Sequence, residues 1–77
     1  MRDFRFKAIE FETAGDAIQH TEAAGGEAIL LDARNFVVTK DEAIRIGAAG
    51  IEFAYLVFDE TRELADGSFP IVTIPVN

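Results

Sequence analysis

The sequence predicts a small α+β domain built from two similar helices and several short strands. The clearest observation is a repeated phrase: Thr13 and Thr39 each precede an amphipathic segment, and an acid follows each of them three residues later. Both segments end in small residues and glycine, at 23–26 and 48–50. A threonine followed by such an acid is typical of a capped helix start, and glycine is typical of a helix end. Short apolar runs before, between and after the two segments predict the strands.

The chain opens with a predicted strand whose buried side changes. Phe4, Phe6 and Ala8 alternate with basic residues. The phase then shifts, so that Ile9 and Phe11 alternate with glutamates. Alternation predicts a half-buried strand. A bulge near Ala8, or a strand that changes its buried face, would explain the shift.

The two helices enclose a predicted hairpin. The first helix is expected over residues 14–24 and the second over residues 40–49. Between them, apolar runs at 29–31 and 36–38 flank the polar residues 32–35. This pattern predicts two short strands joined by a four-residue turn.

Two further strands complete the chain. Most of residues 51–58 are apolar on both faces, a pattern typical of a central strand. Residues 69–76 form the last predicted strand, in which Pro70 and Pro75 cannot donate to a ladder. We therefore expect this strand to lie at an edge of the sheet or to carry a bulge, and to pair cleanly only over residues 71–74.

Together these elements predict a single α+β domain over residues 1–77 with the order β-α-β-β-α-β-β. The first six elements have the order of a ferredoxin-like split βαβ fold, and the seventh is an added C-terminal edge strand. The internal repeat agrees with an arrangement of two related halves. The alternative is a three-stranded sheet of the first, fourth and fifth strands, with the middle hairpin as a separate flap.

Charge and composition disfavour several classes of function. Fourteen acidic and seven basic residues give a net charge of −7, which argues against direct binding to nucleic acid or to an anionic membrane. The chain has no cysteine, so we expect neither a disulfide nor a cysteine-bound metal. Met1-Arg2-Asp3-Phe4 does not resemble a signal peptide, and no apolar run approaches the ~18 residues of a membrane span. The expected location is cytoplasmic.

Residue types that carry catalysis are scarce. Ser68 is the only serine and follows Asp66-Gly67, where serine is ordinary turn chemistry. His20 lies at the border of an apolar helix face, so we expect a half-buried structural histidine, with Asp16 as its nearest acid on that face. No nucleotide-binding motif occurs, and no set of His, Asp and Glu has metal-ligand spacing. We therefore expect no enzymatic activity, no cofactor and no metal.

One charged cluster is distinctive and lies between the last two strands. Four acids fall within eight positions: Asp59, Glu60, Glu63 and Asp66. The dipeptide Asp66-Gly67 is a strong hairpin signal. A two-residue turn there would pair Leu64 with Phe69 and make the cluster an exposed acidic arm.

These observations predict a small non-enzymatic protein-binding or assembly module, with the four clustered acids as the partner-binding residues. The alternative is an acidic inhibitor or nucleic-acid mimic that blocks a basic partner such as a nuclease. Salt separates the two, because a mimic complex weakens steeply with ionic strength and a hydrophobic assembly does not. For a homo-oligomer, the candidate surfaces are residues 69–76 and the apolar arc of the second helix through Ile46.

Overall fold

The computed structural model describes residues 4–76, which form two helices and one five-stranded antiparallel sheet. The helices are α1 (Ala14–Ala24) and α2 (Lys40–Ala48), and the strands are β1 (Ile9–Phe11), β2 (Glu27–Leu31), β3 (Arg34–Val38), β4 (Phe53–Phe58) and β5 (Ile71–Val76). The predicted α+β class, the order β-α-β-β-α-β-β and the added C-terminal strand are confirmed. The predicted lack of a signal peptide rests partly on Met1, Arg2 and Asp3, which lie outside the described residues.

The strand order in the sheet is β1-β3-β2-β4-β5, and each neighbouring pair is antiparallel. The hairpin of β2 and β3 therefore lies in the centre of the sheet, and the alternative that made it a separate flap is wrong. It follows from the pairing that β1 and β2 run parallel on either side of β3, as β3 and β4 do on either side of β2. Each helix thus joins two parallel strands across one intervening strand, which is a split β-α-β unit.

The two helices cover opposite faces of this sheet. Helix α1 packs against the face that holds Ala28 and Val37, and α2 packs against the face that holds Ile29 and Val38. These faces are opposite because neighbouring residues of a strand point to alternate sides. The core consists of two buried clusters: Ala17, Ile18, Ala28, Val37 and Leu56 beside α1, and Ile29, Val38, Ala43, Ile46 and Phe53 beside α2.

Both helices begin at the predicted threonine caps. The Thr13 hydroxyl oxygen accepts a hydrogen bond from the amide of Asp16, at 3.1 Å. The Thr39 hydroxyl oxygen accepts one from the amide of Glu42, also at 3.1 Å. Each bond satisfies an amide that has no partner within its own helix. The repeated phrase in the sequence therefore encodes the same helix start twice.

Glycines follow both helices, as predicted. Gly25 and Gly50 have φ of 81° and 77°, in the left-handed region that glycine enters at little cost. Gly26 has φ of 93°, and a Cβ atom there would lie 2.8 Å from the carbonyl oxygen of Val38. The close approach of the start of β2 to the end of β3 therefore requires glycine at this position.

The N-terminal segment differs from the predicted strand. Only Ile9–Phe11 pairs with β3, while residues 4–8 belong to no strand. Phe4 and Phe6 pack with the cluster on the α2 face, whereas Phe11 packs with the cluster on the α1 face. The phase shift in the sequence thus marks a change of buried face, but the change occurs where an unpaired segment enters β1, not at a bulge or within a strand as predicted.

Two side chains of α2 hold this N-terminal segment in place. The Glu42 carboxylate accepts the backbone amide of Lys7 at 2.7 Å and pairs with Nε of Arg45 at 2.7 Å. Arg45 also donates to the carbonyl oxygen of Arg5, and its guanidinium carbon lies 4.7 Å from the centre of the Phe4 ring. The hydrogen bond from Arg45, followed by that from the Lys7 amide, lowers the pKa of Glu42 to about 2. The backbone of the N-terminal segment is therefore bonded by side chains of α2, whereas the backbone of a paired strand is bonded by its neighbouring strand.

The predicted apolar arc of α2 is buried at Ile46. Ile46 is completely buried against the sheet, whereas Ile44 is 59% exposed. Contrary to the prediction, Ile46 therefore offers no surface for self-association. The second predicted surface, residues 69–76, is described below.

Candidate interaction surface on the β4–β5 hairpin

The four predicted partner-binding acids lie in the segment that joins β4 to β5, residues 59–70, called the acidic loop from here on. Glu60, Glu63 and Asp66 are exposed, and Asp59 is half-buried. The structure therefore gathers these acids in one connection between two strands. Their carboxylates have different roles within it.

Asp59 organises the start of the acidic loop. Its carboxylate accepts the backbone amide of Thr61 at 3.1 Å and also the Thr61 hydroxyl. The Nε of Arg62 lies 3.1 Å from the same carboxylate. The hydrogen bonds from Thr61, above all that from its hydroxyl, lower the pKa of Asp59, and Arg62 adds to this effect. Asp59 therefore stays ionised while it orders the chain that leaves β4.

Asp66 orders the other end of the acidic loop in the way that Asp59 orders its start. Its carboxylate accepts the amide of Ser68 at 3.0 Å and the hydroxyl of Ser68 at 2.6 Å. These bonds lower the pKa of Asp66, with the hydroxyl as the largest cause. The predicted turn role of Ser68 thus agrees with its contacts.

The turn itself is longer than predicted. The amide of Leu64 donates to the carbonyl oxygen of Ser68 at 2.7 Å. The amide of Gly67 donates to the carbonyl oxygen of Leu64 at 2.9 Å. Leu64 therefore faces Ser68 rather than Phe69, so the expected two-residue turn is wrong. Gly67 has φ of 86°, which fits a three-residue loop that ends in a left-handed glycine.

Strand β5 lies at an edge of the sheet, as predicted, and within residues 4–76 it pairs only with β4. The amide of Asp59 donates to the carbonyl oxygen of Pro70 at 2.8 Å, in register with the β4–β5 ladder. Backbone groups of an antiparallel strand point alternately toward and away from the neighbouring strand. Residues 72, 74 and 76 therefore bond to β4, and residues 71, 73 and 75 present their backbone groups outward. These outward groups are called the open edge below.

The positions of the two prolines explain the length of the ladder. Pro75 lacks an amide on the outward side, so it removes no hydrogen bond to β4. The strand therefore pairs as far as Val76, beyond the predicted limit at residue 74. The missing amide of Pro70 faces β4 and coincides with the beginning of β5.

Apolar side chains surround the open edge. Ile74 is 52% exposed and Ile71 is 38% exposed, and Leu64 and Phe69 in the acidic loop are exposed as well. Leu64 lies outside the surface that the sequence predicts for self-association, whereas Phe69, Ile71 and Ile74 belong to it, since it comprises residues 69–76. The available signal was the absence of any charged residue from 69 to 76 in a chain of net charge −7.

His20 is half-buried, as expected, and its ring centre lies 5.2 Å from that of Phe11. It borders an open surface groove of about 360 Å³ together with Lys7 and Gly26. Among the described residues, no group of three or more His, Cys, Asp and Glu side chains is placed to hold a metal ion. Neither helix found in residues 4–76 is long and apolar enough to cross a membrane.

Comparisons with protein-family models, with curated proteins and with solved structures found no match to this chain.

Proposed function

We propose that this chain is a non-enzymatic protein-binding or assembly module whose contact surface is the β4–β5 hairpin. The observation that carries the proposal is the open edge of β5, with Ile71 and Ile74 exposed on either face of the strand. An unpaired edge accepts an extended segment of a partner, which gains affinity from main-chain hydrogen bonds. The exposed isoleucines add apolar area that a partner strand would remove from water.

The acidic loop has a separate role in this proposal. Glu60 and Glu63 are exposed there, and any other protein that docks on the hairpin is basic where it meets them. Complementary charge of this kind mainly raises the association rate and makes that rate sensitive to salt. The edge would thus provide affinity, and the loop would provide steering.

The alternative function, an acidic inhibitor or nucleic-acid mimic, would depend on the same loop. Two of its four carboxylates, those of Asp59 and Asp66, are already hydrogen-bonded within the loop. The open edge has no part in a mimic, whereas it is central to a binding or assembly module. For this reason we favour the module.

The experiment compares the parent and three variants for binding to interactors that are first captured on the immobilised parent chain and then purified. The edge variant is Ile74→Lys, and Ile44→Lys is its matched control because both isoleucines are more than half exposed. The loop variant replaces the four acids with their amides, which preserves hydrogen-bond acceptors at positions 59 and 66. Association kinetics are measured at low and at high salt.

We expect Ile74→Lys to abolish binding and Ile44→Lys to leave it unchanged. The loop variant should fold normally, because the amides at positions 59 and 66 keep an oxygen acceptor and the exposed charges of Glu60 and Glu63 contribute little to stability. It should associate more slowly at low salt. Binding that survives Ile74→Lys undiminished would refute the proposed function. Binding that depends on the loop alone, and that vanishes at high salt, would favour the mimic.

A further inference from the structure

We infer that the occupant of the open edge is a second copy of this chain, whose own β5 pairs antiparallel with it around a two-fold axis at Thr73. This inference rests on the proposed function and names its partner. A symmetric pair of this kind joins the same patch on both subunits, which is the commonest form of homo-oligomer. It would extend each five-stranded sheet into one continuous sheet across the two copies.

The backbone groups of the open edge complement themselves in this register. The outward amide and carbonyl of Thr73 face the same groups of Thr73 in the second copy, and the two residues exchange both hydrogen bonds. Two residues away, the outward amide of Ile71 faces the carbonyl oxygen of Pro75 in the second copy. Because proline has no amide, this pair forms one bond instead of two. A register centred on Pro75 would place two prolines opposite each other and lose both bonds there.

The exposed side chains also find apolar neighbours in this register. Residues directly opposite each other in a ladder place their side chains on the same face. Ile74, which is 52% exposed, would therefore pack beside Val72 of the second copy, and Ile71 beside Pro75. The strand's four exposed residues, Ile71, Thr73, Ile74 and Pro75, would each gain a neighbour across the new ladder.

Charge favours this surface over the rest of the molecule. Each chain carries a net charge of −7, so two copies repel each other over most approaches. Residues 69–76 contain no charge, and antiparallel pairing sends the two acidic loops to opposite ends of the shared ladder. Native edge strands commonly avoid pairing by means of lysines, inward-pointing charges or prolines. Strand β5 has no charge, and its outward proline, Pro75, removes only one hydrogen bond from each of the two outer pairs of this register.

The other edge of the sheet is less suitable for pairing. Strand β1 comprises only three residues, and its central residue is Glu10. The Glu10 carboxylate forms a two-point ion pair with Arg34, at 2.6 and 2.8 Å. A charged, three-residue edge offers little to a second strand, so the open edge of β5 is where two copies would meet.

Sedimentation velocity over a range of concentrations and salt concentrations tests this inference. Thr73→Pro is the central variant, because it removes an outward amide and leaves the bonds from β5 to β4 in place. Its matched control is Thr73→Val, which keeps the amide and suits a strand. Circular dichroism and thermal unfolding at low concentration show whether each variant folds.

We expect a monomer–dimer equilibrium that strengthens with added salt, because salt screens the repulsion between two acidic chains. Thr73→Pro should weaken dimerisation by at least about tenfold, since the two symmetric hydrogen bonds at the centre of the ladder are lost. Thr73→Val should dimerise like the parent. Ile74→Lys provides a second folded variant that should remain monomeric.

A parent that stays monomeric at high micromolar concentration and high salt would overturn the inference. A dimer that Thr73→Pro and Ile74→Lys leave unchanged would overturn it as well. If the parent is monomeric but Ile74→Lys still abolishes binding to another protein, self-pairing is refuted and the proposed function stands. If neither self-association nor binding responds to Ile74→Lys, both proposals fail.

Discussion

Gly26 is a residue at which the backbone leaves no room for a side chain. It combines a φ of 93° with a position where a Cβ atom would meet the Val38 carbonyl at 2.8 Å. We expect Gly26→Ala to destabilise the fold by at least about 2 kcal/mol, because alanine would have both an unfavourable positive φ and a clash with the backbone.

Gly15→Ala is the opposite control, since Gly15 lies in α1 and the nearest contact of a Cβ atom there would be at an ordinary 4.0 Å. That change should stabilise the protein by up to about 1 kcal/mol. Urea unfolding measures both, and equal effects at the two glycines would contradict this explanation.

Thr13 and Thr39 have the same local role and should show the same energetics. Each hydroxyl accepts one amide hydrogen bond at 3.1 Å. Thr→Ala at either position should lower the free energy of unfolding by about 1 kcal/mol. Thr→Ser at the same positions keeps the acceptor and should have little effect. If the alanine variants are as stable as the serine variants, the caps do not contribute as proposed.

At the scale of elements, Glu42 and Arg45 of α2 hold the N-terminal segment, and these contacts are called the clamp below. The stability that they contribute should depend on pH. The folded-state pKa of Glu42 is about 2, below its ordinary value of 4.5. The ionised carboxylate therefore stabilises the fold above about pH 4.5, and this contribution is lost as the pH falls from 4.5 toward 2. We expect Glu42→Gln to have a smaller loss of stability over this range than the parent.

Urea unfolding at a series of acidic pH values checks this expectation. Glu22→Gln is the control, because it changes an exposed glutamate of α1 and leaves the pair of Glu42 and Arg45 intact. Parallel stability curves for the parent and Glu42→Gln would show that the clamp does not contribute. A direct measurement of the Glu42 pKa by NMR should give a value well below 4.5.

The helices and strands could largely be predicted from the sequence, but their arrangement in the sheet could not. Helix starts depend on a few neighbouring residues, so Thr13 and Thr39 could be located without any tertiary information. The order of strands depends on contacts between distant segments, so the central position of the β2–β3 hairpin could not be fixed. The alternation at Phe4 and Phe6 predicts a paired strand, whereas in the structure both rings pack against the buried cluster beside α2 without strand pairing.

The candidate surface was predictable to a similar degree. Clustered acids and an Asp66-Gly67 turn located the acidic loop, but the turn gained one residue because Leu64 bonds to Ser68. The prolines indicated an edge strand. Which side of β5 Pro75 faces depends on the register with β4, and periodicity alone does not determine it.

At the scale of the whole molecule, one edge of the sheet is short and charged and the other is longer and uncharged. Strand β1 pairs over three residues and carries Glu10, whereas β5 pairs over six residues and carries no charge. Helices pack on both faces of the sheet, and the open edge of β5 is the longer of its two unpaired edges. The central claim is that this edge is free in the monomer and becomes paired on association.

Amide hydrogen exchange along β5 at increasing protein concentration tests this claim most directly. The amides of Val72 and Ile74 should be protected at every concentration, because they bond to β4. The amides of Ile71 and Thr73 should exchange rapidly in dilute solution and become protected as the concentration rises. A Thr73 amide that is already protected in the dilute monomer, or one that exchanges rapidly at every concentration, would contradict the account.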